Sequence, residues 1–418
     1  MSTFHGLEVG RRGITTAQNQ INTTGHNMTN AATPGYSRQN VSASATTPQS
    51  VFTSSSTPGQ LGTGLLTDAI VRLRDHFLDG KFWTQNSNTG SLEAQARTMK
   101  ELESIVKTAG EGTLPQSMQD VWNAWQNVAN NPTDAGAKKI LQERAKSFLT
   151  TAQTMDKQFA QVEMDLQSKV DFAVTETNQL LQGIRDLNEV IQRSSGKDND
   201  AMDQRDRLID QLSKKVGIDV VRTNSGMVQI SLKTADASAT PTILVNGRDD
   251  ITPIVDGTDI VSGELAGLVK SQDDVANYRA EFQDTVKSFI ESNGIANDNS
   301  QLFVGDAISF DLDTITVSTS KALTEPTTVE SEKYAIQSKW QSTVANLGTK
   351  ANGVYRAHQT AELATTGINN DRQSVMGVSL DEEMSNLIKF QHAYNAAARM
   401  VSTTDQLLDT LINRLGAR

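Results

Sequence analysis

Large apolar residues recur every seven positions at both ends of the chain. Leu7, Ile14, Ile21 and Met28 form one series, with Gly10, Ala17, Thr24 and Ala31 three residues further on. Leu380, Leu387, Tyr394, Val401, Leu408 and Leu415 form the other, with Met384, Ala398 and Ile412 in the companion position and Gln391 and Asp405 interrupting it. Such a repeat predicts helices that pack side by side, and small residues in the companion seam let the backbones approach closely. The spacing predicts one helix over residues 4–30 and another over 379–415, roughly 40 and 55 Å long at about 1.5 Å per residue. Ser379 with Glu382 predicts a capping box at the second, and Gly416 lies just past its end. Neither helix looks self-sufficient: Gly6, Gly10, Gly13 and Gly25 each cost about 1 kcal/mol relative to Ala. The two ends are therefore expected to pair with each other and with neighbouring subunits.

Between them the pattern changes several times. Residues 39–67 contain no Asp, Glu, Lys, Arg or His and carry Pro48 and Pro58, which predicts an extended connector, with a β segment after Gly62-Thr63-Gly64. That glycine pair is no phosphate-cradling loop, since the third glycine and a βαβ pattern are missing. Helical periodicity covers 67–108, 115–130, 134–194 and 201–216, and Leu141, Phe148, Met155, Phe159, Leu166 and Val170 share one face of the longest. Short β runs follow at 220–221, 227–232 and 243–245, then a helix at 272–291, a second β patch at 302–317 and helix again over 329–366. Trp83, Trp122, Trp125 and Trp340 fall in or beside helical stretches, where they are expected to anchor packing between helices.

The expected fold is α+β, mainly α, with nested domains. Residues 1–38 and 376–418 would pair as a coiled-coil-like inner domain, joined by the extended connector 39–67 to a long-helix middle domain of 68–216 and 328–375. Residues 217–327 would form a small inserted β-rich domain with one helix.

Composition narrows the function more than the fold. The chain has 418 residues, a net charge of −11 and no Cys. An acidic balance argues against a nucleic-acid binder, and the missing Cys excludes disulfides, thiolate nucleophiles and Cys-bearing metal sites. The five histidines, His5, His26, His76, His358 and His392, show neither an HExxH pattern nor an i,i+4 pair. Asp198, Asp200, Asp203 and Asp206 lack the glycine and final carboxylate of a calcium loop, Ile209 standing in the last position. They read as solvated carboxylates favoured by a helix N-terminus. No nucleophile–His–acid set can be assembled, so no catalytic residue, cofactor or metal is expected. The first residues lack an apolar signal core and no apolar run approaches a membrane span, so export would proceed without a cleaved signal and without membrane insertion.

Residues 26–38 read His-Asn-Met-Thr-Asn-Ala-Ala-Thr-Pro-Gly-Tyr-Ser-Arg. Pro34 stops the helix, Gly35 permits a positive φ, and Asn27 and Asn30 can bond the freed backbone groups. The segment resembles the signature that closes the N-terminal helix in bacterial flagellar axial proteins of the rod, hook and hook–filament junction. The likeness rests on Asn27, Asn30, Thr33, Pro34, Gly35 and Tyr36, and it departs at Thr29, where that family usually has Ala. Gly377–Met384, Leu387–Tyr394 and Met202–Ile209 resemble the junction branch more than hook or rod proteins. The strong resemblance covers about residues 1–75, 200–216 and 375–418, and the middle β section is shorter than in many members.

The resemblance implies a non-catalytic structural adaptor at the hook–filament junction, assembling head-to-tail with copies of itself on the hook protein. It also implies a next junction protein as partner, export through the flagellar type III apparatus and an export chaperone on the C-terminal helix. The location would be the extracellular flagellum, or the periplasm where the flagellum is enclosed. The assembly interface would comprise Leu7, Ile14, Ala17, Ile21 and Met28 with Leu380, Met384, Leu387, Tyr394, Val401, Leu408, Ile412 and Leu415. A hook or distal-rod component, or a secreted coiled-coil effector or adhesin, are the alternatives. The second leaves the turn at 27–36 unexplained.

Overall fold

The computed structural model describes residues 4–52, 58–106, 113–223, 225–234, 240–257, 260–296, 300–306, 310–320 and 330–410. Helix α1 (His5–Thr29) leads into a long hairpin built from β1 (Gln39–Ala45), β2 (Gln49–Phe52), β3 (Pro58–Leu61) and β4 (Leu65–Arg72). Helices α2 (His76–Val106), α3 (Leu114–Asn130), α4 (Ala135–Arg193) and α5 (Asn199–Lys215) follow. Then come β5 (Ile218–Arg222), β6 (Val228–Leu232), β7 (Ile243–Asn246), α6 (Glu264–Ser292), β8 (Ile295–Ala296), β9 (Phe303–Val304) and β10 (Thr316–Val317). Helices α7 (Glu330–Met376) and α8 (Leu380–Asp409) return the chain to its starting end. The fold is mainly α, within an α+β class.

The helical body forms where the sequence carries a strong apolar stripe. On α4, which spans roughly 90 Å at about 1.5 Å per residue, Leu141, Phe148, Met155, Phe159, Leu166 and Val170 are all buried. Asp134 caps its start, accepting from the Gly136 amide at 2.7 Å. Opposite lie Phe282 and Phe289 of α6 and Trp340 of α7. Phe148 and Phe289 have ring centroids 4.3 Å apart, and Phe282 meets Trp340 at 5.9 Å. Helix α6 thus packs within the helical core against α2, α4 and α7 rather than with the strands that flank it in sequence. All four tryptophans are buried.

Three departures from the sequence pattern concern element ends, the first being α6, which begins at Glu264 rather than at 272. Residues 67–72 are strand rather than the start of a helix, because β4 pairs antiparallel with β1 from Leu65↔Ala45 to Arg72↔Gln39, with a bulge near Ser42/Ala43. The β-branched Ile70 and Val71 suit that geometry. Helix α7 continues past 366 to Met376, and Gly367 meets no neighbour that would interrupt it. The described residues of the charge-free 39–67 segment are extended, with strands paired β1 to β4 and β2 to β3.

Candidate assembly interface: the paired chain ends and their anchor

Helices α1 and α8 run antiparallel along each other. A Cβ on Gly6 would lie 2.9 Å from Thr404 Oγ1, one on Gly10 2.5 Å from Val401 Cγ2, and one on Gly13 3.2 Å from Ala397 Cβ. The glycines that weaken α1 as an isolated helix are what admits α8 at this distance. The seam itself is small and polar: Gly10, Thr16, Ala17, Thr23, Thr24 and Asn27 are the buried residues of α1.

The large residues of the two stripes flank this seam and are only partly covered. Leu7, Ile14, Ile21 and Met28 are half-buried, as are Leu387, Val401 and Leu408. Leu380 and Met384 remain 51% and 52% exposed, and Tyr394 36%. Off the predicted stripe, Ile388 and Leu407 are also exposed. Ile412 and Leu415 lie outside the described residues.

The turn that closes α1 is organised around the side chain of Asn27, which is 1% exposed. Its Oδ1 accepts from Tyr36 Oη at 2.8 Å and from the Gln39 amide at 2.9 Å. Its Nδ2 donates to Gln39 O at 2.9 Å and to Glu383 Oε2 at 3.1 Å. Asn30 Nδ2 donates to His26 O, Thr33 Oγ1 donates to Asn30 Oδ1, and the Tyr36 amide donates to Thr33 O. Gly35, after Pro34, takes a φ of +80° and sits against the side chain of Arg207. Burial, followed by the carboxylates of Asp200, Asp203 and Glu383, pushes the Tyr36 phenol well above its usual range, so it stays a donor to Asn27.

Helix α8 begins on this turn. Glu383, 2% exposed, accepts from Arg38 Nε at 2.7 Å as well as from Asn27. The Arg38 amide donates to Met376 O at 2.9 Å, fixing the link between α7 and α8. The capping box expected at Ser379 does not form. Ser379 occupies the N-cap without a side-chain cap bond, and Glu382 reaches out to Arg38 Nη1 at 2.8 Å. A charged partner outcompetes a backbone amide for that carboxylate.

Beneath the turn lies a buried ionic cluster that corrects the reading of the aspartates at 198–206 as solvated. Asp203, Asp206 and Asp210 share one face of α5 with Ile209 and Ser213, and that face turns into the body. Asp206 is 0% exposed and meets Arg205, Arg72 and Arg74 at 3.1, 3.1 and 3.4 Å and Arg222 at 3.6 Å. Asp203 accepts from Arg72 Nη1 at 2.6 Å and from the Ser37 amide at 2.9 Å. Arg74 bonds Asp79, and Arg372 of α7 bonds both Asp79 and Asp210, the latter also accepting from Trp83 Nε1. Burial opposes ionisation of Asp206, but the surrounding guanidiniums outweigh it and hold the carboxyl well below its ordinary value. For Asp203 and Asp210 burial wins and the values rise. The outer two of the acidic set stay at the surface, where Asp200 meets His26 Nε2 and Gln39 Nε2, and Asp198 caps α5.

The sequence reading missed Glu383, Arg38 and the guanidinium side of the cluster. The available signal was the 203/206/210 spacing, which puts three carboxylates on the same helix face as buried Ile209. Among the described residues, no group of three or more His, Cys, Asp or Glu could hold a metal ion, and no helix is long and apolar enough to cross a membrane.

Two family descriptions match the chain: the flagellar hook-associated protein FlgK helical domain over residues 99–296, and the flagellar basal body rod FlgEFG protein C-terminal over 372–415. Flagellar hook-associated protein 1 of Bacillus subtilis is 28% identical over 99% of both chains, in an alignment of 503 positions that includes segments absent here. The Escherichia coli protein of the same name is 21% identical over 85% of this chain and 90% of its own. The solved structure of the flagellar hook junction protein FlgK from Burkholderia pseudomallei overlaps 54% of this chain and 47% of its own, at 20% identity and a TM-score of 0.47. The chain is thus similar to flagellar hook-associated protein 1 along nearly its whole length, with the helical-domain match at its centre and the rod-protein match at its C-terminal end.

Proposed function

We propose that this protein is a structural adaptor of the bacterial flagellum, seated at the hook–filament junction and carrying no catalysis. The observation that supports this most directly is the pairing of the two chain ends into one long two-helix element whose apolar residues are left half-covered. Such an element is completed by neighbours. Copies would assemble head-to-tail on the distal hook, because an open helical array needs a patch on each subunit that meets a different patch on the next. Leu7, Ile14, Ala17, Ile21 and Met28 with Leu380, Met384, Leu387, Tyr394, Val401, Leu408, Ile412 and Leu415 would form the inner packing. The helical body would stand outside it, and the turn at 27–36 would set the angle between the two. In this reading the inner domain is 1–38 with 376–418, the connector 39–67, the middle domain 68–216 with 328–375, and the β-rich insert 217–327.

The partners are the hook protein below and the next junction protein above. The chain would leave the cell unfolded through the flagellar type III apparatus, with an export chaperone on its amphipathic C-terminal helix beforehand. The low charge of residues 13–67, where only Arg38 carries a formal charge, fits a surface that gives up its water on assembly, since amides and hydroxyls are cheaper to desolvate than ions. Deleting the gene should leave hooks that carry no filament, and a deletion strain with normal filaments would overturn the junction role. Limited proteolysis of the soluble chain should trim both tips before the body, and tips as resistant as α4 would contradict completion by neighbours.

A further inference from the structure

The two ends of the chain do not meet evenly. On α8, Glu383 at 2% exposed is the one buried residue among those described, and it faces Asn27 at 1%. Helix α1 stays buried outward at Thr16, Ala17 and Gly10, while Phe4 at 63% and Leu407 at 61% stand exposed at the tips. Among the described residues, α1 is held further out by the hairpin, through Arg12 to Thr63 O and Asn19 to Thr67 Oγ1, and the pair is hydrogen-bonded to the helical body at its inner end. There the Ser37 amide donates to Asp203, Gln39 Nε2 to Asp200, and the Arg38 amide to Met376 O. Arg372, four residues before Met376, is held in the ionic cluster by Asp79 and Asp210. The body therefore holds the end of α7 beside the turn through contacts in which α8 takes no part. Closing the remaining gap costs little chain entropy there, whereas meeting first at the tips would require ordering whole helices for one contact.

We infer that the Asn27–Arg38–Glu383 node is where the two chain ends begin to pair, with Glu383 the residue that positions α8. From this node the pair zips outward along the Gly13, Gly10 and Gly6 seam toward the tips. Glu383 suits the role because its two oxygens are divided between the ends to be joined, Oε2 on Asn27 of α1 and Oε1 on Arg38 beyond the turn. Asn27 in turn has its remaining bonds committed to Tyr36 and Gln39, so it is rigid when Glu383 arrives. Each outward step then adds contacts to a helix already started, which is the favourable regime of helix growth. The inference concerns the free chain, so it stands apart from the junction role. A chain that shows this behaviour yet fails to support filaments would overturn the role and leave the node intact.

Amide hydrogen exchange on the full-length protein, free in solution, tests it. The wild type should show protection at residues 23–27 and 383–387 at least tenfold longer-lived than at residues 6–10 and 401–408. Glu383→Ala should lower protection in all four segments at least tenfold and leave residues 155–166 of α4 unchanged. Glu383→Gln, which keeps an acceptor of the same shape, should lose less than Ala. Val401→Ala should weaken only the outer segments. Even protection along α1 would overturn the inference, as would outer segments that survive Glu383→Ala. A fall in α4 protection with Glu383→Ala would make the residue a general stabiliser, and a node lost in Val401→Ala would place the start of pairing elsewhere.

Discussion

The helical body and the paired ends are both made of long helices, yet they are held together by different means. In the body, Phe148, Phe159, Phe282 and Phe289 are at most 1% exposed, and the ionic cluster is buried as well. In the pair, the contact is a strip of Gly, Ala and Thr, and the large apolar residues stand at its rim. Burial of aromatic area stabilises the body without help, at about 25 cal/mol per Å² of apolar surface. The seam of the pair offers little such area, so its helices are stable only to the extent that the node and further neighbours hold them. One chain thus contains a part whose apolar residues are covered on folding and a part whose large apolar residues stay half-covered.

The largest test of that contrast is Asp206→Asn. Removing one carboxylate from among buried guanidiniums should cost about 3–5 kcal/mol of body stability in urea unfolding followed by tryptophan fluorescence. The sign with pH follows from the lowered Asp206 value. Its contribution is complete above the unfolded carboxylate range near about 4 and is lost as pH falls through the lower folded value. The gap between wild type and Asp206→Asn should therefore hold from neutral pH to about 4 and narrow below it. The raised values of Asp203 and Asp210 act in the opposite sense, contributing stability at low pH that is lost as pH rises through their folded values. A gap that widens on acidification would contradict the assignment.

Phe289→Ala should rank close behind, at about 3–4 kcal/mol, because it opens a cavity among Phe148, Trp122 and their neighbours. Both changes should move the unfolding midpoint of the body. Gly10→Ala should not: it improves helix propensity by about 1 kcal/mol, but its Cβ would strike Val401. The expected result is an unchanged urea midpoint together with loss of exchange protection on α8. A shifted midpoint would mean that body and pair are one cooperative unit. Tyr36→Phe is the mildest, removing one hydrogen bond to Asn27 for about 1 kcal/mol, read as a small rise in exchange at residues 23–27.

Much of this contrast was legible in the sequence. The stripe on α4, the heptads at the two ends, the Pro34-Gly35 stop and the charge-free hairpin segment are periodic or local signals, and local signals survive in one dimension. The misreadings have a common cause. Residues 67–72 carry a helix-compatible pattern, but their partner strand lies more than twenty residues away in the sequence. Glu382 satisfied a capping rule, but Arg38 is a stronger partner and reaches it only in the folded chain. Asp203 and Asp206 obeyed the rule for helix N-termini and were still buried, since the guanidiniums that neutralise them come from β4, from the link that follows it, from β5 and from α5 itself.

The sequence by itself determined which segments are helices, where the first one ends, and that the two ends match. Those properties depend on residues a few positions apart. The tertiary structure alone decided that the large residues of the stripes are left at the rim of the small-residue seam, that Glu383 bonds both Asn27 and Arg38, and that the ionic anchor lies beneath the turn. Each of these depends on charges and backbones brought together from distant parts of the chain, where a carboxylate is solvated or buried according to what the fold sets beside it.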